Sequence, residues 1–165
     1  MNDTVLKAYL QHQWVGSTAG AAAFKRVGRH HKDPDAAAEI RDLSVEVSAD
    51  RQSLREVMRS VGVHPSLVGT VAARAGELVG RLKPNGRIFT RPPLTDVVEL
   101  EALRLMAASK EAGFEVLRGA ADDDPRLDPY TLDRLLERAH VQVRTLERLH
   151  GRVSHDRLAG KQPVQ

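Results

Sequence analysis

Residues 33–62 read DPDAAAEIRDLSVEVSADRQSLREVMRSVG. Within them Ala36, Ile40, Leu43, Val47, Asp50, Leu54, Val57 and Val61 recur at alternating steps of four and three, which puts all eight on one stripe of an α-helix. Asp33-Pro34 opens that helix, because proline suits a first turn whose N–H has no intrahelical partner. Gly62 ends it. One member of the stripe, Asp50, is a carboxylate among aliphatic side chains, and the functional reading starts from it.

The same period continues on both sides. A first helix is expected from about Asp3 to Val27, with Leu6, Tyr9, Leu10, Gln13, Ser17, Gly20, Phe24 and Val27 on one face, and a break from Gly28 to Asp33. After His64-Pro65 a shorter amphipathic segment aligns Leu67, Val68, Val71, Ala75, Leu78 and Leu82. Lys83-Pro84-Asn85-Gly86 then reads as a turn, and Pro92-Pro93 demands extended backbone before it. A third long helix is expected from about Leu94 to Leu117, with Thr95 as cap and Asp96 and Glu99 in its first turn. Gly119 to Asp124 reads as an acidic loop. Asp128-Pro129 caps a fourth helix carrying Leu132, Leu135, Leu136, Ala139, Val143, Leu146, His150 and Val153. Residues 1–158 are expected to form one domain and 159–165 a disordered tail.

Connection lengths suggest the topology. The two outer links are short and favour antiparallel neighbours, whereas the middle one covers roughly thirty residues and holds its own helix. A link that long can travel the length of a bundle and leave the second and third helices parallel. The expected fold is therefore all-α: a ferritin-like four-helix bundle with one long crossover that contains an extra short helix.

Particular stretches carry a resemblance. Tyr9-Leu10-Gln11-His12-Gln13 with Gly16-Ser17-Thr18-Ala19-Gly20, Ala49-Asp50-Arg51, Gly80-Arg81-Leu82-Lys83-Pro84-Asn85-Gly86 and Glu99-Leu100-Glu101-Ala102-Leu103 resemble a group of small bacterial helical proteins of the ferritin-like class. The likeness runs from Leu6 to about Leu149. It implies a ferritin-like bundle and carries no particular activity with it.

Composition narrows the classes. With no cysteine among 165 residues, thiolate chemistry, Cys-type zinc sites and disulfide frameworks are excluded. No apolar run approaches the ~20 residues needed to span a bilayer, and the first residues lack the apolar core of a signal peptide; a cytoplasmic location is expected. Lys+Arg number 25 against 22 Asp+Glu, a net charge of only +3. The densest basic run, Lys25 to Lys32, is a single turn between helices, which reads as a solvated connector and not as a nucleic-acid footprint.

A di-metal carboxylate bundle needs about four carboxylates and two histidines converging on its axis, from Glu on two helices and Glu-x-x-His on the others. Here the first helix offers the amide of Gln13, the second has no histidine, and the third places Lys110 on the same line as Glu99, Leu103, Met106 and Leu117. The fourth has two Glu-x-x-His matches, Glu137 to His140 and Glu147 to His150, of which His150 is expected to face the core. The set is incomplete. The expectation is a buried polar cluster of Gln13, Asp50, Glu99 and Lys110, in which an ammonium takes the place of metal charge and no cofactor is required. In the bland alternative Lys110 lays its stem on Leu103 and Met106 and carries its charge out to water. A reduced iron or manganese site built from Glu46, Asp50, Glu147 and His150 is the metal-binding alternative.

No glycine-rich phosphate loop follows a strand, and no serine has a histidine at nucleophile spacing. The back of the first helix, with Ala8, Val15, Ala19 and Ala22, is weakly apolar and is expected to be covered, either by the crossover helix or by a second copy in a homodimer. The expected role is therefore non-enzymatic, as a structural or interaction protein. The alternative is a metal-handling or oxidase bundle.

Overall fold

The structure is a computed structural model, and it describes residues 2–66, 92 and 94–160. Among these, four helices form: α1 (Asp3–His30), α2 (Pro34–Ser60), α3 (Leu94–Ala120) and α4 (Pro129–Leu158). The described residues contain no strand. The expected short helix around Leu67 to Leu82, the Lys83-to-Gly86 turn and the end of the tail lie outside the described residues.

Three helices start as their sequences require. The Asn2 side chain accepts from Val5 N at 3.3 Å, Asp33 from Ala36 N at 2.8 Å, and Asp128 from Thr131 N at 2.9 Å. Each satisfies an N–H that the first turn leaves without an intrahelical acceptor. At the end of α2, Gly62 takes a φ of +75°, a conformation costly for a side chain with a Cβ, and Val63 N returns to Met58 O at 2.8 Å.

The expected break begins later than Gly28: α1 runs on to His30, the chain breaks over residues 31–33, and Gly28 packs against α2. A Cβ there would sit 3.1 Å from Arg41 Cγ and 3.2 Å from its backbone N. Gly28 is a packing residue inside a helix, and its carbonyl accepts from Arg41 Nη1 at 3.1 Å.

End-to-end contacts fix the helix directions. Gln11, near the start of α1, bonds His64 O at 2.7 Å and Ser66 N at 3.1 Å, so α2 ends beside the beginning of α1. Asp96, near the start of α3, accepts from Lys32 N just past the end of α1 (3.4 Å) and pairs with Arg157 near the end of α4 (2.6 Å). α2 and α3 are therefore parallel to each other and antiparallel to α1 and α4. The end of α2 and the start of α3 thus lie at opposite ends of the bundle. α1 packs along α2 and α3 along α4, and the two hairpins meet through α1 against α3 and α2 against α4.

The core has two apolar halves. One gathers Leu6, Leu10, Trp14, Leu54, Met58, Phe114, Leu132 and Leu135; the other Phe24, Ile40, Leu43, Val47, Leu100, Leu103, Leu146 and Leu149. All eight residues of the α2 stripe are buried, Asp50 included. α4 departs from expectation. Its buried line is Leu132, Leu135, Ala139, Gln142, Leu146, Leu149 and Val153, so Gln142 and Leu149 take the places assigned to Val143 and His150. The line runs by steps of three and four, and the expected one departs from it by one residue at those two positions.

Candidate functional site

The polar layer at mid-height lies between the two apolar halves. Asp50 sits between Val47 and Leu54 on α2, Lys110 between Ala107 and Phe114 on α3, and Gln142 between Ala139 and Leu146 on α4. Each follows the core period of its helix, so the three side chains turn toward one another. Lys110 Nζ donates to Asp50 Oδ2 at 2.7 Å and also to Gln142 Oε1. The other end of the Gln142 amide donates to Asp50 Oδ2 at 3.1 Å and to Glu46 Oε2 at 3.0 Å. Arg138 Nη2 approaches Asp50 Oδ1 to 2.6 Å, close enough for a strong charge interaction but off the line of a hydrogen bond.

Burial decides between the two expectations for Lys110. Its side chain is 14% exposed and that of Asp50 1%, so the amine ends in the cluster and does not carry its charge out to water. Taking an ammonium out of water pushes Lys110 below its ordinary value, while the Asp50 carboxylate pulls in the opposite direction. Gln142 satisfies both ions with one amide, accepting from the amine and donating to the carboxylate.

The other expected members sit differently. Gln13 is half-buried and borders the same cavity as Asp50 and Lys110, but no hydrogen bond joins it to either. Its amide packs on Gly113, where a Cβ would come within 2.6 Å of Gln13 Cδ. Glu99 does not join the cluster: it lies eleven residues from Lys110 on the same helix, about 16 Å of axial rise. The four residues of the metal alternative do not converge. Glu46 and Asp50 share the Gln142 amide, whereas Glu147 pairs with Arg104 at 2.7 Å and His150 Nε2 lies 3.3 Å from Glu101 Oε1 at the bundle edge.

Sequence reasoning missed Gln142 and Arg138. The signal for Gln142 was present in the 135, 139, 142, 146 spacing. Arg138 had none, because an arginine beside a core position usually faces solvent and here its long stem folds back.

The first Glu-x-x-His match also resolves. Glu137 is exposed, and His140 turns across to α3, where its Nδ1 lies 3.1 Å from Glu111 Oε1. Glu111, Glu115 and His140 bring one ligand atom each to within 4.8 Å of one another, on a half-exposed face outside the polar layer.

Further ion pairs clamp the bundle ends. Asp33 takes both terminal nitrogens of Arg152 at 3.0 Å, Asp96 takes Arg157, and Arg126 links Asp124 in the α3–α4 loop to Asp3 of α1 at 2.8 Å. Beside the polar layer, between α1 and α3, opens a cavity of about 490 Å³. Comparison of the chain with protein-family models, with curated proteins and with solved structures finds no match.

Proposed function

We propose that this chain is a non-enzymatic bundle of the ferritin-like kind, a structural or interaction protein whose centre is neutralised by its own side chains. One observation carries the reading. The amine of Lys110 occupies the middle of the polar layer, bonded to Asp50 and Gln142, where a di-metal bundle would need carboxylates facing a cation. An ammonium there repels a divalent ion and already supplies the positive charge that the carboxylate requires. The parallel α2 and α3, joined by one long crossover, support the ferritin-like topology.

Elemental analysis of protein purified without chelator tests it. The reading expects iron and manganese far below one per chain. Stoichiometric iron or manganese that survives dialysis, and is lost on Asp50→Ala, contradicts it.

A second reading, a metal-binding bundle, is favoured by Glu111, Glu115 and His140 alone. A metal content that disappears on His140→Ala and survives Asp50→Ala identifies that reading. A homodimer built on the weakly apolar back of α1 belongs to the same proposal; a mass in light scattering that stays monomeric across concentration removes it.

A further inference from the structure

We propose that the cavity between α1 and α3 binds an amphiphile with an apolar body and one carboxylate-type head, the head received by Arg51 and Lys110. The cavity measures about 490 Å³, inside the ~300–1,000 Å³ range of small-molecule sites. Its walls are Ala19, Gly20 and Phe24 of α1 against Leu105 and Met106 of α3. The small side chains of α1 leave this space between the two helices unfilled.

The charges bordering it are unbalanced. Among the described residues Asp50 is the one acid along its lining, and its oxygens already face Lys110, Gln142 and Arg138. Lys110 has three N–H donors and spends two, on Asp50 and Gln142; among the described residues it makes no third hydrogen bond. Arg51 lies 4.0 Å over the Trp14 ring and gives its Nε to Thr18 at 3.1 Å, and no carboxylate among the described residues pairs with it. A half-buried guanidinium without a counter-ion is costly, and its burial lowers its own affinity for a proton. A ligand carboxylate would relieve that cost with a charge-assisted, two-pronged hydrogen bond. An uncharged hydrocarbon would leave Arg51 as it is, and a bare inorganic anion would leave the walls unfilled.

The inference rests on the Lys110 geometry of the reading above and adds an occupant for the space beside it. The test is calorimetric titration of the full chain with sodium dodecanoate below its micelle concentration, with the fluorescence of Trp14, the single tryptophan, followed in parallel. The expected result is saturable binding of one dodecanoate per chain, with dodecan-1-ol at least tenfold weaker. Arg51→Met should weaken dodecanoate at least tenfold by calorimetry and leave the alcohol unchanged. Gly20→Leu should abolish both while the far-UV circular dichroism spectrum and melting temperature hold, since among the described residues nothing lies within 4 Å of a Cβ at that position. If Gly20→Leu fails to fold, Ala19→Leu on the same wall replaces it.

The absence of saturable binding, as when residues 67–91 or a second copy fills the space, overturns the proposal. So does equal affinity for acid and alcohol, or binding unmoved by the wall variant. The two readings fail separately. Stoichiometric metal alongside saturable dodecanoate would sink the proposed function alone, and low metal without dodecanoate binding would sink this inference alone.

Discussion

Lys110 makes its two hydrogen bonds at the cost of its hydration, and the balance leaves its proton held less firmly than in water. The sign of the pH dependence follows. Between the lowered value in the folded chain and the ordinary 10.5, the unfolded chain keeps a proton that the folded chain gives up. Stability from this group therefore rises with pH across that window, as the burial cost of the ammonium is relieved. We expect the urea midpoint of the wild type, relative to Lys110→Met, to climb as pH approaches 10.5. A flat or falling difference contradicts the burial of the charge. Asp50 was legible in the sequence because an acid in a run of Ile, Leu and Val has no surface excuse, and Lys110 because it shared the α3 line. Their third partner, Gln142, was obscured by Val143 beside it: hydrophobicity favoured the wrong residue, while spacing favoured the right one. Glu99 failed for the opposite reason. It shares a face with Lys110, but a shared face says nothing about height along the axis.

At the scale of elements, helix identity and the caps of α2 and α4 followed from local chemistry, whereas Thr95, expected to cap α3, lies inside that helix, which begins at Leu94. Asp33-Pro34 and Asp128-Pro129 begin α2 and α4 as their sequences demand. Gly28 was misread because a glycine serves equally as a helix terminator and as a contact point, and only the position of α2 separates the two. Gly28→Ala should cost about 1–3 kcal/mol in urea unfolding, since Arg41 backbone stands in the way of the new methyl. Gly20→Ala, with nothing described near its Cβ, should be neutral or stabilise by up to about 1 kcal/mol. Equal costs at the two sites would contradict the close approach of α1 and α2.

The loop before α4 offers a further test. Hydrogen bonds from Arg126 push the Asp124 carboxyl down to about 2, from an ordinary 3.8. Its contribution is fully present above the ordinary value and is lost as pH falls through about 2. The melting temperature should drop between pH 4 and 2, and Asp124→Asn should flatten that drop. A variant as acid-sensitive as the wild type would show that the clamp contributes nothing.

At the scale of the molecule, the described residues form two apolar halves separated by one polar layer, with ion pairs binding the ends. Among the described residues no helix is long and apolar enough to cross a membrane. Buried ion pairs of this kind seldom add net stability; what they do is make the loss of one partner expensive, because the other is left charged and dry. That asymmetry makes the arrangement measurable. In a double-mutant cycle on Asp50 and Lys110, followed by urea unfolding, Asp50→Leu alone should cost about 3–5 kcal/mol, and Asp50→Leu joined with Lys110→Met much less. Single losses that add to the double loss within about 0.5 kcal/mol would show that the two charges do not depend on each other.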